Sequence, residues 1–505
     1  MALGTISWEQ YPINSADKVP ILTNWTPAIG YMLHQSDISG LFYFKLVLEV
    51  RLTSSTGTLL AKIKQRRNGY SPDVIADEAR AFFDLREIIN SQIVNTVFDQ
   101  NQVGVPFESI HKLGANSGVN ASGNPVTENP FSVNGDRNTD KTQIVKIYVK
   151  GYQQYSSSAD EVPTEDNDPY VENTEYWLGA SLPLLTARST TSTYVQSNAF
   201  SPYKASASNN KFLSDLSTDY NAEYNLSGYI NYVRWNDDTN TGDYHTVAFL
   251  NDKSDFDSEV NYIEVIYYDS AGVALTDTYI LNTSANGGAY PNTETTEDIA
   301  RLLYYGCGTA NLNAQTVTGD DKAKPSHADN EGWAYYTIRG TDLSAGAIAG
   351  QTSLYYFVKE SGSCKGFKVR RLAWRNSLGC YDYFNFKMKS TQTVEVKRDN
   401  YNTMLGTFNA SKWRYNNTQR GKTTRQTSAI LKETLSTDWL TEPQANLIEK
   451  LIMSTDVYIV ENAETDYTEG VIITDSSFVR KTSANDKLIK YTINIEYANP
   501  INTNS

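Results

Sequence analysis

From Phe42 to Leu52 the apolar positions Phe42, Phe44, Leu46, Leu48, Val50 and Leu52 alternate with Tyr43, Lys45, Val47, Glu49 and Arg51, the period of a strand with one buried face. Ser54-Ser55-Thr56-Gly57 then turns the chain, and Leu59 to Ile63 returns as the second strand of a hairpin. A helix is predicted next. Ser71-Pro72-Asp73 offers a hydroxyl cap, a proline at the first helical position and an acid in the first turn, and Ile75, Ala79, Phe82, Arg86 and Ile89 recur at helical spacing. Gly114 to Asp140 is dense in Gly, Asn and Ser and reads as loop. Alternation resumes from Ile144 to Lys150, and Tyr176 to Leu185 is predicted as a further strand.

Between Ser189 and Asn210 the composition falls to Ser, Thr, Ala and Asn with scattered aromatics, which marks a linker or extended arm. Beyond it Gly228 to Trp235, Tyr244 to Leu250, Tyr262 to Tyr268 and Val273 to Leu281 are short strands separated by polar turns, the signature of a β-sandwich. A short helix at Thr295 to Tyr304 and a polar insertion at Gln315 to Glu331 interrupt the series, which resumes at Trp333 to Arg339 and Leu354 to Lys359. Phe367 to Arg375 leads into a second hairpin through Asn376-Ser377-Leu378-Gly379, with Tyr381 to Phe386 as the aromatic return strand. The turns Ser54–Gly57, Asp269–Gly272 and Asn376–Gly379 share one style, a short polar residue first and glycine fourth, as expected of a type I turn closed by a left-handed glycine. Near the C-terminus Thr441-Glu442-Pro443-Gln444 is a capping box ahead of the stripe Leu447, Ile448, Leu451 and Ile452. Strands Val457 to Val460, Val471 to Thr474 and Lys490 to Tyr497 surround this helix.

These elements predict a mainly β, multi-domain chain with β-sandwich-type domains, a small C-terminal α+β module and a few short helices. The expected divisions are an N-terminal arm over 1–19, a β-rich domain with one helix over 20–188, a linker over 189–211, a β-sandwich domain over 212–390 and an α+β assembly module over 391–505. At 505 residues the chain exceeds the size at which a single core keeps growing. Its 35 Tyr, 17 Phe and 8 Trp suit half-buried pleated surfaces. No stretch approaches the ~20 apolar residues of a membrane span, and no basic n-region precedes an apolar core, so neither a span nor a secretion signal is expected. Cys307, Cys364 and Cys380 form no disulfide framework and no zinc pattern; buried thiols are expected in preference to a bond between Cys364 and Cys380 across the second hairpin.

Charge changes the picture most. The net charge is −14, yet from Ser361 to Lys432 fifteen Lys and Arg stand against only Asp382, Glu395 and Asp399, a net +12 that leaves −26 for the rest. A basic face and an acidic face on one chain suit head-to-tail association of identical subunits; a solvated strand face is the alternative. Arg370, Arg371, Arg375, Lys387, Lys389, Arg398, Lys412 and Arg414 are the interface candidates. Trp374 and the aromatics of its partner strand are expected to make a core, with the charged edge turned toward an acidic neighbour. On that view, reversing Arg370 and Arg371 breaks assembly and spares folding.

Catalytic chemistry finds little in the residues. His34, His111, His245 and His327 are scattered, none at metal-ligand spacing, and read as surface or loop residues. There is no Gly-x-Ser-x-Gly, no phosphate-cradling glycine loop and no cysteine in a nucleophile context. No cofactor or metal is expected. Asp252, Asp255, Asp257 and Glu259 are weighed as glycosidase carboxylates and as a calcium loop, and fit a solvated turn better; Asp166, Asn167 and Asp168 fit a polar loop better than a divalent site. Phe367, Trp374, Tyr383, Trp413 and Tyr415 interleave with the basic residues as stacking platforms do, but alternation sends many such rings to a core, so nucleic acid is not the expected partner.

The segment Trp374-Arg375-Asn376-Ser377-Leu378-Gly379, followed by Tyr381-Asp382-Tyr383-Phe384-Asn385-Phe386, resembles a pattern of Trp, Asn, Gly and an aromatic strand found in virion structural proteins of tailed bacteriophages, notably those of Bacteroidetes-like and marine hosts. The run from Trp439-Leu440-Thr441-Glu442 through Leu447, Leu451, Ser454, Val457 and Tyr458 to Gly470-Val471-Ile472-Ile473-Thr474-Asp475 is similar to theirs as well. Together these cover roughly the last third of the chain. The resemblance implies a non-enzymatic tail, tail-tip, baseplate or head-to-tail component that assembles into a homo-oligomeric ring with other tail proteins, made in the host cytoplasm and ending in the virion. A receptor- or glycan-binding module meeting a host surface glycan is the second expectation, and a polysaccharide-degrading enzyme the third.

Overall fold

In the computed structural model the described residues are 5–10, 21–22, 30–66, 78–93, 111, 144–179, 203–205, 210–251, 262–281, 301–313, 323–342, 349–350, 352–360, 366–460, 468–475, 477–481, 489–499 and 502–504. They make a mainly β protein of several sheets with short helices. The chain divides into two compact units, Met1–Glu360 with Arg375–Asp382, and Ser361–Trp374 with Tyr383–Ser505.

In the first unit the predicted alternation of Phe42–Leu52 holds for Phe44, Leu46, Leu48 and Val50, which are buried, and for Lys45, Glu49 and Arg51, which are half exposed; Phe42 is exposed instead, and Val47 is buried on the opposite face. This strand pairs with Leu59–Arg66 and with Ile144–Ser156, and Thr164–Leu178 and Ile21–Leu22 complete a five-stranded sheet. A three-stranded antiparallel sheet of Ile6–Gln10, Gly30–Gln35 and Ala79–Asp84 sends Tyr31, Leu33, Ala81 and Phe83 into the same core as Leu46, Leu48, Ile147 and Trp177. Two sheets sharing one core is the sandwich arrangement.

Here the predicted helix is corrected. Ala79–Asp84 is a strand, and among the described residues of that stretch only Arg86–Asn90 is helical. Ala79, Ala81 and Phe83 are buried while Arg80 and Phe82 are half exposed and Asp84 is exposed, a period of two that a short apolar run shares with helical spacing until backbone pairing to Gly30–Gln35 decides it. The start signal at Ser71-Pro72-Asp73 and the loop reading over Gly114 to Asp140 lie outside the described residues. The strand expected at Tyr176 to Leu185 begins earlier, at Thr164, and ends at Leu178, so Asp166, Asn167 and Asp168 are strand residues and not a loop.

The same unit holds a second pair of sheets. One runs in the order Thr218–Asn221, Leu226–Asn236, Tyr355–Glu360, Tyr335–Asp342, Tyr262–Tyr268, Ala274–Leu281; the other is Arg301–Gly306, Thr246–Asn251, Lys204–Ala205. Both line a core that includes Phe249, Tyr267, Tyr305, Tyr336 and Phe357. Three tyrosine hydroxyls find partners there: Tyr267 donates to the Ala323 carbonyl (2.8 Å), Tyr336 to the Cys307 carbonyl (2.8 Å), and Tyr355 accepts from the Phe212 amide (3.2 Å); the buried Tyr305 hydroxyl has none among the described residues. Two expectations change. The end of the helix predicted over Thr295 to Tyr304 is instead part of the strand Arg301–Gly306, paired along Thr246–Asn251, and the helix of this region is Thr309–Asn313. Within the expected linker, Lys204–Ala205 is a sheet-edge strand parallel to Leu250 and Asn251.

All three predicted turns close as drawn, with the glycine amide bonded to the carbonyl of the first residue at 2.9 Å for Ser54, 3.1 Å for Asp269 and 3.1 Å for Asn376. Gly272 (φ 79°) and Gly379 (φ 83°) are left-handed, as expected. Gly57 is not; a Cβ there would sit 1.7 Å from the Leu52 carbonyl oxygen, so its requirement is space, and the left-handed residue is Thr53 (φ 69°).

The second unit is an α+β module. Its sheet follows the order Tyr381–Phe386, Arg370–Arg375, Val457–Val460, Thr468–Ile473, Thr492–Tyr497, Lys422–Ser436, Thr391–Asn402, the tip of the first two strands belonging to the first unit. The helix Glu442–Met453 buries Ala445, Leu447, Ile448 and Leu451. Its capping box is formed: Thr441 Oγ1 accepts from the Gln444 amide (3.4 Å) and Gln444 Oε1 accepts from the Thr441 amide (3.2 Å). Thr441→Ala is expected to lower the stability of this unit by about 1 kcal/mol, seen as a lower denaturant midpoint by circular dichroism; an unchanged midpoint would show that the cap does not hold the helix.

Candidate assembly surface

The hairpin around Asn376 is built by its own polar side chains. Asn376 Oδ1 accepts from the amides of Leu378 and Cys380, both at 3.0 Å, and so fills the turn from within. Its Nδ2 donates to the Leu213 carbonyl at 2.9 Å. Asp215 accepts from the Ser377 amide (2.8 Å) and from the Ser377 hydroxyl, while Asp382 accepts from the Ser214 hydroxyl (2.5 Å) and the Asp215 amide (2.9 Å). Within the first unit, the turn and the segment Leu213–Asp215 therefore satisfy each other's buried groups, and the Tyr381 ring meets His111 edge-on at 4.9 Å. Burial, and secondly the Asp215 carboxylate, push the Asp382 carboxyl up to about 7.

In the second unit the hairpin's legs meet their acid inside the chain. Arg370 Nε lies 3.0 Å from Glu433 Oε1, and Glu433 Oε2 accepts from Tyr497 (2.7 Å) and Gln392 (3.2 Å). Burial alone would lift the Glu433 carboxyl; the bonds from Arg370, Tyr497 and Gln392 outweigh it and hold the group below the usual carboxylate range. Arg371 bonds Asn385 Oδ1 at 2.8 Å and lies over the Tyr383 ring. Trp374 is fully buried, as expected, with Leu372, Ala373 and Trp374 laddered against Ile459, Tyr458 and Val457.

Of the interface candidates, Arg370, Arg371 and Arg375 are thus inside, at 6%, 1% and 3% exposure. The charged edge they were expected to offer a neighbour is turned inward, because Glu433, 63 residues away in sequence, supplies the acid. No local signal marks Glu433, Ser214 or Asp215; only the excess of buried charge in a central strand demands partners of their kind. Lys387 is half-buried and Lys389 is exposed. Arg398, Lys412 and Arg414 are exposed on a two-stranded arm formed by Thr391–Asn402 and Lys422–Ser436, with the small hairpin Thr407–Asn409 and Lys412–Arg414 at its end.

The remaining candidates do not converge. His34 meets Glu78 at 3.2 Å and His327 caps a short 3₁₀ turn, but His111 and His245 are buried rather than at the surface. Cys307 and Cys380 are buried thiols; Cys364 lies outside the described residues, as do Asp252, Asp255, Asp257 and Glu259. Among the described residues no group of three or more His, Cys, Asp or Glu is placed to hold a metal ion, and no helix is long and apolar enough to cross a membrane. Of the rings weighed for stacking, Trp374 and Tyr383 are buried and Phe367 is half-buried, whereas Trp413 (47%) and Tyr415 (70%) stand in solvent.

Two measurements test this arrangement. Glu433→Ala leaves Arg370 buried without its acid and is expected to destabilise the second unit by about 3–5 kcal/mol, and Arg370→Glu is expected to damage folding instead of sparing it; a normal melting curve for either would overturn the buried pair. A carboxyl with its folded value near 7 and an unfolded value of about 3.9 binds a proton on folding between those limits, so its favourable contribution is complete at low pH and declines as pH rises, by at most about 1.4 kcal/mol per unit. Asp382→Asn, which keeps the shape and removes the titrating group, is therefore expected to flatten the fall in tryptophan-monitored stability between pH 4 and 7; parallel curves for the two proteins would exclude the raised Asp382 carboxyl.

No family model matches the chain, and no curated protein matches it.

Proposed function

We propose that this chain is a non-enzymatic structural component of a tailed-bacteriophage virion, placed in the tail as a tail-tip, baseplate or head-to-tail ring protein and made in the host cytoplasm. Copies of the chain assemble with one another and with neighbouring tail proteins, and no cofactor takes part. The observation that carries this reading is the arm Thr391–Ser436, which holds Met404 (78% exposed), Phe408 (71%) and Tyr415 (70%) in water. Large apolar side chains grouped in solvent mark surface that another molecule covers, and Tyr and Trp are the residues favoured at such interfaces. The resemblance of Trp374–Phe386 and Trp439–Asp475 to phage virion structural proteins supports the particle as the setting.

Cryo-microscopy of purified particles of the phage encoding this chain is the direct test. Density for several symmetry-related copies in the tail is the expected result. A chain absent from particles would refute the reading, and copies confined to fibre ends, combined with glycan-array binding, would replace it with a receptor-binding role.

A further inference from the structure

The arm is not merely exposed; its end is a built surface. Thr403 and Gly421 close its neck through an amide-to-carbonyl bond of 2.9 Å, and Gly406 donates to Gln419 Oε1 at 2.9 Å. Gly406 is left-handed (φ 97°), and a Cβ on it would lie 2.4 Å from Trp413 Nε1, so the indole rests on bare backbone. Ala410 (φ 48°) and Ser411 (φ 68°) form the tight turn that sets Phe408 opposite Trp413. The result is a fixed apolar knob in solvent.

Its electrostatics point to a partner. The 32 residues from Asn400 to Leu431 hold Lys412, Arg414, Arg420, Lys422 and Arg425 and no Asp or Glu, which leaves −19 for the remainder of the chain. None of these five cations has a carboxylate partner among the described residues, in contrast to Lys432, which meets Glu395 at 2.5 Å. The strand Thr391–Asn402 ends its sheet, so among the described residues one backbone edge of the arm has no partner strand. The opposite surface exists on the first unit. Gly151 to Leu178 carries seven acids and no Lys or Arg, and Ile144–Ser156 and Thr164–Leu178 form a ribbon whose end exposes Asp160, Glu161 and Val162 (84%); Asp168 is exposed further along the second strand, where the Tyr170 ring carries Lys150 Nζ at 4.0 Å. Glu165 is occupied by Lys62 (3.0 Å) and Lys64 (2.6 Å); Asp160, Glu161 and Asp168 have no cation among the described residues.

We infer that the arm tip of one copy docks on the acidic ribbon end of a second copy of this chain, Phe408, Trp413 and Tyr415 covering Val162 while Lys412 and Arg414 face Asp160 and Glu161. A surface meeting a different surface on its twin is a head-to-tail contact, which closes into a ring or continues as a filament. This names the contact for the assembly proposed above and rests on that reading. Nucleic acid would also welcome cations and rings, but Met404, Leu405, Val394 and Val396 on the arm offer a base neither stacking nor charge.

The test uses the full-length chain in sedimentation velocity at low and high salt, with Lys412→Glu/Arg414→Glu and Asp160→Lys/Glu161→Lys as reversal variants and circular dichroism to confirm that each is folded. Self-association that weakens at least about tenfold with salt and in each variant, and returns when the two variants are mixed, is the expected result. A wild-type chain that stays monomeric, association indifferent to either reversal, or reversal variants that fail to associate on mixing would each overturn the contact. Binding of a single-stranded DNA oligonucleotide lost in the Lys412→Glu/Arg414→Glu variant, with the chain still monomeric, would overturn it in favour of nucleic acid. A chain found in particles by microscopy yet indifferent to both reversals leaves the virion role standing and removes only this contact; salt-sensitive, swap-rescued association of a chain absent from particles does the reverse.

Discussion

A charge removed from water must be met by a partner, and the stretch from Arg370 to Phe386 is organised by that demand. Its three arginines and one aspartate are all nearly inaccessible. Each would cost several kcal/mol if left alone, so the surroundings are fixed by what can answer them. In the second unit the answer to Arg370 is Glu433, itself saturated by Tyr497 and Gln392, which ties together the strands that carry these residues. In the first unit the answer to Asp382 is a hydroxyl and an amide from Ser214 and Asp215, and Asp215 is answered by Ser377 in turn. A one-residue slip in this hairpin would point every one of these groups at the wrong face.

How much of this was legible depends on the range over which the controlling interaction acts. Elements set by short-range chemistry were readable: Phe42–Leu52 by alternation, Glu442–Met453 by its capping box, and the glycine-closed turns by the identity of their first and fourth residues. Ala79–Asp84 was not, because Ala79, Phe82, Arg86 and Ile89 satisfy a helical period while pairing with Gly30–Gln35, some fifty residues earlier, selects the strand. The buried arginines failed for the same reason. Local sequence reveals that a charge is present and says nothing of an acid 63 residues away.

Tyrosine was ambiguous in a second sense. Its abundance suggested interface, since an amphipathic ring suits a half-wet surface. Many of these rings are instead interior, and Tyr267, Tyr336 and Tyr355 are held there by bonds to backbone atoms of Ala323, Cys307 and Phe212. Tyr305 is interior too, with no partner for its hydroxyl among the described residues, so a ring is assigned to core or surface by the sheets packed over it, and these are set by pairing far along the chain. Trp413 and Tyr415 differ from Trp374 and Tyr383 in nothing local; they differ in that, among the described residues, no sheet or helix is laid over the arm to enclose them.

The arm combines two properties that usually exclude each other. An open, twelve-residue edge strand carrying exposed valines is a template for indiscriminate pairing, and Val394 and Val396 stand on such a strand at 53% and 39% exposure. The same strand balances Lys397 and Arg398 with Glu395 and Asp399, whereas the residues from Thr403 to Leu431 carry five further cations without an acid. Charge of one sign at the arm's end repels the end of another arm and leaves an acidic surface as the favourable partner. Specificity built this way needs no loss of apolar area, because the repulsion acts against the wrong partner while the exposed rings remain available to the right one.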